Sequence, residues 1–284
     1  FDSFKGSLTA ETLCRIAATV VRRRWPGVEL VVVPMADGGE GTIEALVAAR
    51  GGDTVTVPDV SGPLPGQRVT ATYGWVPSEK TAVVEMARAS GLPLVPEHQR
   101  NPLVTTTRGT GEVIAEALAH GAESLLLTLG GSATNDGGTG AAAALGWRFL
   151  DEEGTPVPDG GGSLHRIARI VPPEERLCRR IDVLCDVDNP ACGRHGAAAV
   201  YGPQKGATGP MVEALDRGLT HLLELVLTTF GLDLRDLSGG GAAGGFGAGA
   251  VAFLGGVLVP GAAAVAQAAH LREALHQADW VITG

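Results

Sequence analysis

A run of glycine and polar residues, Gly130 to Gly140, has the composition expected of a loop that binds an anion. It follows the apolar run Ser124 to Leu129, which we interpret as a buried strand, and precedes Ala141 to Leu145, where we expect a helix to begin. Such a turn presents backbone N–H groups and the positive end of a helix dipole, and its glycines permit close approach of a ligand. A turn that only reverses the chain is the alternative, but the interleaved polar residues favour a phosphate- or substrate-binding loop. The candidate contacts are Gly130, Gly131, Ser132, Thr134, Asn135 and Asp136.

Acidic residues in two other turns could act as a general base or bind a metal ion. Asp37 and Glu40 occupy a glycine-rich turn after the apolar run Leu30 to Val33, and Asp186 and Asp188 follow a later apolar run. Asp37 could be a base or metal ligand, or it could cap the N-terminus of the following helix, as acidic residues often do. An Asx turn is the alternative for the second pair, of which we favour Asp186 as a base or metal ligand.

Lysines in two further polar turns could neutralise a phosphate or a carboxylate. Lys5 lies in the polar loop that opens the chain, and we favour a functional role for it over that of a solvated surface lysine. Lys205 occupies a later turn, where a phosphate contact and a surface position are equally compatible with the sequence. The other candidate contacts in these turns and beside them are Asp2, Ser3, Gly39, Glu40, Thr107 and Gln204.

These turns come together only if strands and helices alternate, and the hydrophobic pattern predicts that order, which is typical of an α/β fold. Helices are expected around Leu13–Val21 with Thr9 as N-cap, and at Thr42–Arg50, Glu112–His120, Met211–Phe230 and Leu271–Gln277. Strands are expected at Glu29–Val33, Val69–Trp75, Thr81–Met86, Ser124–Leu129, Ile181–Cys185 and Trp280–Thr283. Loops at the carboxyl ends of parallel strands share one crevice, so we expect the polar turns to form a single site.

The composition is that of a globular protein with one large or two ordinary domains. The 284 residues are 44% hydrophobic and 19% charged, which suffices for a sizeable core under a polar surface. A net charge of −9 argues against binding to nucleic acid or to an anionic membrane surface. No apolar run reaches the ~18 residues of a membrane span, and no secretory signal is visible. Four cysteines without a C-x-x-C pair are interpreted as reduced thiols, so we expect a cytoplasmic protein.

Taken together, the motifs resemble those of the bacterial glycerate kinase family of type I. The matching segments, in the family's order, are Asp2–Leu8, Ala36–Thr42, Glu85–Ala87, Asn101–Leu103, Thr106–Thr107, Gly109–Glu112, Gly130–Gly138, Cys185–Pro190, Tyr201–Ala207 and Asp279–Gly284. They span the whole chain. Phe1 stands where the family usually has proline. The family's opening strand and the segment after its I-T-G motif are not seen, so we expect an N-terminal strand and a C-terminal segment to be missing.

The resemblance implies ATP-dependent phosphorylation of D-glycerate, usually on the 2-hydroxyl, with Mg²⁺ as cofactor. It implies two α/β domains, one Rossmann- or flavodoxin-like with a large inserted α/β domain, and an active site in the cleft between them. The first would comprise residues 1–60 and 263–284, and the insert residues 61–262. Phosphoryl transfer depends on positioning and charge stabilisation. Lys5, Asp37 and Asp186 are then the catalytic candidates, and Asp186 and Asp188 the candidate Mg²⁺ ligands.

Other functions are weighed against this expectation. A P-loop kinase is excluded because no G-x-x-x-x-G-K-[ST] motif occurs. A nicotinamide-dependent oxidoreductase of a small hydroxy acid is one alternative, although no G-x-G-x-x-G run follows a strand with an acidic residue at the required distance. A non-catalytic ligand-binding relative is the other, although the polar loops are intact. The sequence does not decide the oligomeric state, and a homodimer is allowed for.

Overall fold

The structure is a computed structural model that describes residues 1, 4, 7–36, 39, 41–174 and 180–284, with the side chain of Ala48 left out. The helices are α1 (Ala10–Arg24), α2 (Thr42–Arg50), α3 (Ala87–Ser90), α4 (Arg108–Ala119), α5 (Thr139–Ala144), α6 (Ala197–Tyr201), α7 (Gly209–Phe230), α8 (Ala242–Gly249), α9 (Gly261–Ala268) and α10 (Leu271–Gln277). The strands are β1 (Asp53–Ser61), β2 (Arg68–Val76), β3 (Thr81–Glu85), β4 (Ser124–Thr128), β5 (Arg148–Leu150), β6 (Arg169–Val171), β7 (Arg180–Leu184) and β8 (Val257–Val259). Strands and helices alternate along much of the chain, and the predicted α/β fold is confirmed.

Among the described residues, the main sheet has six strands in the order β1-β2-β3-β4-β7-β8. The first three pair antiparallel, and β3, β4, β7 and β8 run parallel. The register aligns the last residues of the parallel strands, Glu85, Thr128, Leu184 and Val259. The loops that follow these strands therefore leave the sheet at one common edge, where an α/β fold places its ligands. The short strands β5 and β6 form a separate antiparallel pair.

Local signals explain where the main helices begin and end. The Thr9 hydroxyl accepts a hydrogen bond from the Thr12 N–H, so Thr9 is the N-cap of α1, as predicted. Helices α2 and α7 end at Gly51 and Gly231, whose positive φ angles of 69° and 70° suit glycine. Within α7, the predicted apolar stripe is buried at Leu215, Leu219, Leu222, Leu223 and Val226.

The core lies on both faces of the parallel strands. Side chains alternate along each strand, so neighbouring residues enter different clusters. The larger cluster joins one face to α4, α7 and α8, and the smaller joins the other face to α2 and α9. Helices from distant parts of the chain therefore pack side by side on the second face. The predicted domain boundaries, at residues 60/61 and 262/263, stay a prediction.

Two predicted strands are wrong. Residues 29–33 and 280–283 have no regular secondary structure, and Val31 and Trp280 are 68% and 89% exposed. An apolar run becomes a strand only when a neighbour accepts and donates its backbone hydrogen bonds, and no described strand pairs with either segment. The start of α4 also differs: it begins at Arg108, not at Glu112, because Gly109 and Gly111 are helical residues that pack closely on other backbone. In the part of the chain that is described, no helix is long and apolar enough to cross a membrane.

Candidate active site

The glycine-rich loop and Asp186 lie at the same edge of the sheet. The loop, residues 130–138, follows β4, and Asp186 comes two residues after the end of β7. These strands are parallel neighbours in register. The sequence predicted that these two groups would meet at one crevice, and the fold brings them to adjacent strand ends.

The glycine-rich loop is held firmly by its surroundings. Gly131 is exposed at its tip with a φ angle of 75°, whereas residues 132–138 are buried. The carbonyl oxygen of Gly131 accepts from the Leu92 N–H at 2.8 Å, and the Ala133 N–H donates to Ser90 at 3.0 Å. The Thr105 hydroxyl donates to the carbonyl oxygen of Ala133 at 2.8 Å. The loop is therefore preorganised by the end of α3, by the segment that follows α3 and by the segment that precedes α4.

Asp136 and Thr107 form a buried junction beneath this loop. One carboxylate oxygen of Asp136 accepts from the N–H and the hydroxyl of Thr107, at 2.8 and 2.9 Å, and the other accepts from the Gly138 N–H at 3.2 Å. The Thr107 hydroxyl also accepts from the Ala141 N–H at 2.9 Å. Burial raises the pKa of Asp136, and the donated hydrogen bonds oppose that shift. Both side chains, predicted as ligand contacts, join the first turn of α4 to the glycine-rich loop and α5.

Lys205 reaches the loop from inside the protein. Its side chain is almost fully buried, and its ammonium donates to the Ser132 hydroxyl at 2.8 Å and to the Thr134 carbonyl oxygen at 2.7 Å. Burial lowers the pKa of Lys205 to about 7, and the nearby Asp136 carboxylate opposes that change. Gln204, the preceding residue, is exposed. The structure therefore places these two predicted contacts on different sides of the turn.

Three polar side-chain atoms of the loop have no hydrogen-bond partner among the described residues. They are both amide atoms of Asn135 and the hydroxyl of Thr134, and all are buried. A buried polar group without a hydrogen bond lowers the stability of the folded protein by about 1–3 kcal/mol, so such groups are uncommon and are often found where a ligand binds. Their concentration in adjacent residues makes Asn135 and Thr134 the strongest ligand-contact candidates of the loop.

The carboxylate of Asp186 accepts two backbone hydrogen bonds at the start of α9. Its oxygens bind the N–H groups of Gly261 and Ala262, both at 2.8 Å. Asp188 is exposed, and one of its oxygens accepts from the Ser238 hydroxyl at 3.2 Å. The Asp186 side chain is exposed as well, so it can contact a ligand while it caps α9. Within the described ranges, no group of three or more His, Cys, Asp or Glu side chains is arranged to hold a metal ion.

Comparison with protein-family models identifies the family of the whole chain. A model of the glycerate kinase family matches residues 1–284, the whole chain. The chain belongs to the glycerate kinase family.

Individual relatives of the chain are also named as glycerate kinases. The chain is 48% identical to a glycerate kinase from Halalkalibacterium halodurans and 45% identical to the glycerate 2-kinase from Escherichia coli. In each case the match covers 100% of this chain and 75% or 74% of the relative. A crystal structure described as glycerate kinase 2 from Salmonella typhimurium LT2 superposes with a TM-score of 0.88 at 46% identity, over 98% of this chain and 75% of that one. The resemblance inferred from the motifs is confirmed.

Several predicted site residues of this glycerate kinase family member lie outside the described residues. They are Asp2, Ser3, Lys5, Asp37 and Glu40. Gly39, within the same turn as Asp37, is half-buried, and its carbonyl oxygen accepts from the Thr42 hydroxyl at 2.8 Å. The roles of these residues stay predictions.

Glu85 is a buried carboxylate at the same edge to which the sequence reasoning assigned no role. It ends β3, and its oxygens accept from the Ile43 N–H and from the Arg88 guanidinium, each at 2.8 Å. Burial raises the pKa of Glu85. Because Ile43 lies in the first turn of α2, Glu85 fixes the helix that follows the Asp37 turn. An acidic residue closing the apolar run of β3 was the available signal.

Another glycine-rich segment, residues 239–249, packs against the loop at residues 130–138. Ala243, Gly244 and Gly245 have positive φ angles at the start of α8, and the carbonyl oxygen of Gly244 accepts from the Gly137 N–H at 3.1 Å. A Cβ atom on Gly244 would lie 2.1 Å from the Thr134 carbonyl oxygen. Residues 242–249 are all buried, so in this family member the segment packs behind the glycine-rich loop at residues 130–138.

Proposed function

We propose that this chain catalyses the ATP-dependent phosphorylation of D-glycerate, with 2-phosphoglycerate as product. One observation carries the proposal: in a chain matched over its whole length by the glycerate kinase family, the polar glycine-rich loop and Asp186 lie at adjacent ends of parallel strands. A glycerate 2-kinase is among the relatives, which supports the 2-hydroxyl as acceptor. The oxidoreductase alternative has no comparable support.

The loop is suited to binding and orienting the charged substrates. Its exposed Gly131 allows close approach of a ligand, and the side chains of Thr134 and Asn135 carry unpaired hydrogen-bond donors and acceptors for one. The rigid attachment of the loop keeps these groups in place, and positioning is the main protein contribution to phosphoryl transfer. Lys5, from outside the described residues, is proposed to neutralise a phosphate or the glycerate carboxylate.

Asp186 is proposed to accept the proton of the reacting hydroxyl. Its carboxylate is exposed at the edge of the sheet that also carries the glycine-rich loop, where a bound substrate can reach it. Asp37 stays an alternative base. Binding of Mg²⁺ by Asp186 and Asp188 is the alternative to the base role of Asp186, since Mg²⁺ prefers one or two carboxylates together with substrate phosphates. A bound Mg²⁺ would neutralise charge on those phosphates.

Phosphorus NMR of a reaction with ATP, Mg²⁺ and D-glycerate tests the proposal. We expect ATP consumption and the resonance of 2-phosphoglycerate. The resonance of 3-phosphoglycerate would contradict the assigned hydroxyl, and glycerate-independent or absent ATP turnover would contradict the function and favour a non-catalytic relative.

Substitution of Asp186 tests its role in this reaction. Asp186→Asn is expected to lower kcat about 100-fold or more, because an amide cannot accept the proton. Asp182→Asn is the matched control, since Asp182 lies inside β7 and pairs with Arg180. Thermal unfolding of both variants separates a loss of catalysis from a loss of α9 capping. A wild-type kcat for Asp186→Asn would remove Asp186 from the mechanism.

A cytoplasmic location is part of the same proposal. Cys14, Cys185 and Cys192 are free thiols, as expected in a reducing compartment. Cys178 lies outside the described residues.

A further inference from the structure

Lys205 connects a distant turn to the centre of the glycine-rich loop. It ends the helical turn Pro203–Lys205, its hydrogen-bond acceptors in the loop lie 73 and 71 residues earlier in the sequence, and only 2% of it is exposed. Its two hydrogen-bond acceptors, the Ser132 hydroxyl and the Thr134 carbonyl oxygen, flank Ala133. One side chain therefore holds both ends of a three-residue stretch of the loop.

Asn135, the residue with two unpaired buried amide atoms, lies between two residues of the loop that are each held by hydrogen bonds. On one side, Lys205 holds the carbonyl oxygen of Thr134. On the other side, Thr107 holds the carboxylate of Asp136 with two hydrogen bonds. The position of the Asn135 side chain is thus set by anchors on both of its neighbours.

We propose that Lys205 is a positioning residue, which clamps the Ser132–Asp136 stretch of the ligand-binding loop from inside the protein and does not itself contact substrate. A phosphate contact would require Lys205 to leave its buried site and give up both hydrogen bonds. This inference rests on the proposed function, because it assigns Lys205 a role in the same loop.

The electrostatic surroundings of Lys205 also link the clamp to pH. The carboxylate of Asp136 is the charged group of the loop that stabilises the Lys205 ammonium. Other titratable or charged residues on the elements packed nearby are Arg100, whose backbone lies close to Gly206, and Tyr201 of α6. Burial brings the pKa of Lys205 to about 7. The ammonium places a positive charge behind a loop that would bind anions, and deprotonation removes that charge. Anion binding is therefore expected to weaken as the pH rises past 7.

Kinetics of matched lysine variants test the clamp. Lys205→Met is expected to lower kcat/KM for D-glycerate or ATP about 10- to 100-fold through loss of loop geometry. Lys80→Met is the control, because Lys80 is exposed, pairs with Glu123 and lies at the opposite edge of the sheet, so a change within about twofold is expected. Wild-type kcat/KM in Lys205→Met would overturn the proposal.

A double-mutant cycle distinguishes the clamp from an independent Ser132 contact. Ser132→Ala removes one of the two acceptors and leaves Lys205 in place, so it remains informative even where Lys205→Met does not fold. If the two residues act as one unit, adding Ser132→Ala to Lys205→Met lowers kcat/KM by no more than about twofold further. Losses that multiply would contradict the clamp.

The pH dependence gives a readout that a purely structural lysine would not move. The chain contains three lysines, Lys5, Lys80 and Lys205, so side-chain ¹³C NMR of labelled lysine resolves each titration. We expect the pKa of Lys205 to be about 7. Above that pH, kcat/KM of the wild type should fall, and kcat/KM of Lys205→Met should not show this fall. The same pH profile in wild type and Lys205→Met would overturn the link between charge and binding.

Hydrogen exchange separates failure of this inference from failure of the proposed function. If wild-type protein does not phosphorylate glycerate, the kinase proposal fails, but the clamp can still be measured. Lys205→Met is then expected to accelerate amide exchange at residues 132–136 at least about 10-fold, with α7 unchanged. Unchanged exchange in the loop would refute the clamp itself.

Discussion

Glu85, Asp136 and Asp186 show how single buried or capping carboxylates organise one edge of the sheet. Each accepts a backbone N–H from a residue distant in sequence: Glu85 from Ile43 in α2, Asp136 from Thr107, the N-cap of α4, and Asp186 from Gly261 in α9. Negative charge is favourable at helix N-termini, so the same contacts orient these helices. Asp186, the catalytic candidate among them, therefore also carries a structural role.

The titration of Lys205 makes a prediction about stability. Its pKa is about 7 in the folded protein against an ordinary 10.5, so between these values the unfolded chain holds a proton that the folded protein lacks. The free energy of unfolding should then rise with pH in this window, by about 1.4 kcal/mol per pH unit from this group. Denaturant unfolding of wild type and Lys205→Met from about pH 7 to about pH 9 measures the difference. Parallel curves for the two proteins would contradict the assigned titration.

Side-chain burial was the part of the site that the sequence could not predict. The glycine-rich loop was recognisable from its composition, but the inward positions of Lys205, Thr107 and Asp136 depend on contacts across 29 to 73 residues of sequence. A lone lysine in a turn has the same local pattern whether it is solvated or buried. Only the packing of α6, α8 and the loop decides between these outcomes.

Two glycine-rich segments that look alike in sequence have different roles as elements. The loop at residues 130–138 follows a strand and opens at Gly131, whereas the segment that begins α8 is buried against it. The difference follows from position, since only the first segment leaves the carboxyl edge of the parallel strands. Strand prediction had a similar limit: β4 and β7 were recognised as apolar runs, but residues 29–33 and 280–283 were not strands because pairing is not a local property.

Substitution of Gly244 tests the supporting role of α8. Gly244→Ala would place a Cβ atom 2.1 Å from the Thr134 carbonyl oxygen and 2.5 Å from the Asn135 Cα atom, so the glycine-rich loop must shift. We expect kcat/KM to fall about 10-fold or more. Gly255→Ala is the matched control, because Gly255 has a similar φ of 68° but no atom within 4 Å of the added Cβ. It should cost about 1–2 kcal/mol of stability and leave kcat/KM unchanged. Equal effects of the two variants on kcat/KM would show that α8 does not hold the glycine-rich loop in position.

Across the whole molecule, helices from the two ends of the chain share one face of the sheet. Ile43 and Leu46 of α2 and Val265 of α9 belong to a single apolar cluster with Val83 and Leu184 of the strands. The predicted domain that combines residues 1–60 with 263–284 stays a prediction, because the same cluster contains strand residues from the predicted insert. The N-termini of both helices are held by carboxylates at the carboxyl edge of the sheet, α2 by Glu85 and α9 by Asp186.

If the two helices form one cooperative unit, a cavity in their shared cluster should loosen both. Leu46→Ala removes a fully buried side chain and is expected to cost about 2–5 kcal/mol. Amide hydrogen exchange should accelerate in α2 and α9 together, while α4 and α7 keep their protection, because local unfolding follows cooperative units. Leu223→Ala, an equal truncation in the larger cluster, should instead accelerate exchange in α7. Faster exchange in α2 alone after Leu46→Ala would show that the chain ends do not act as one domain.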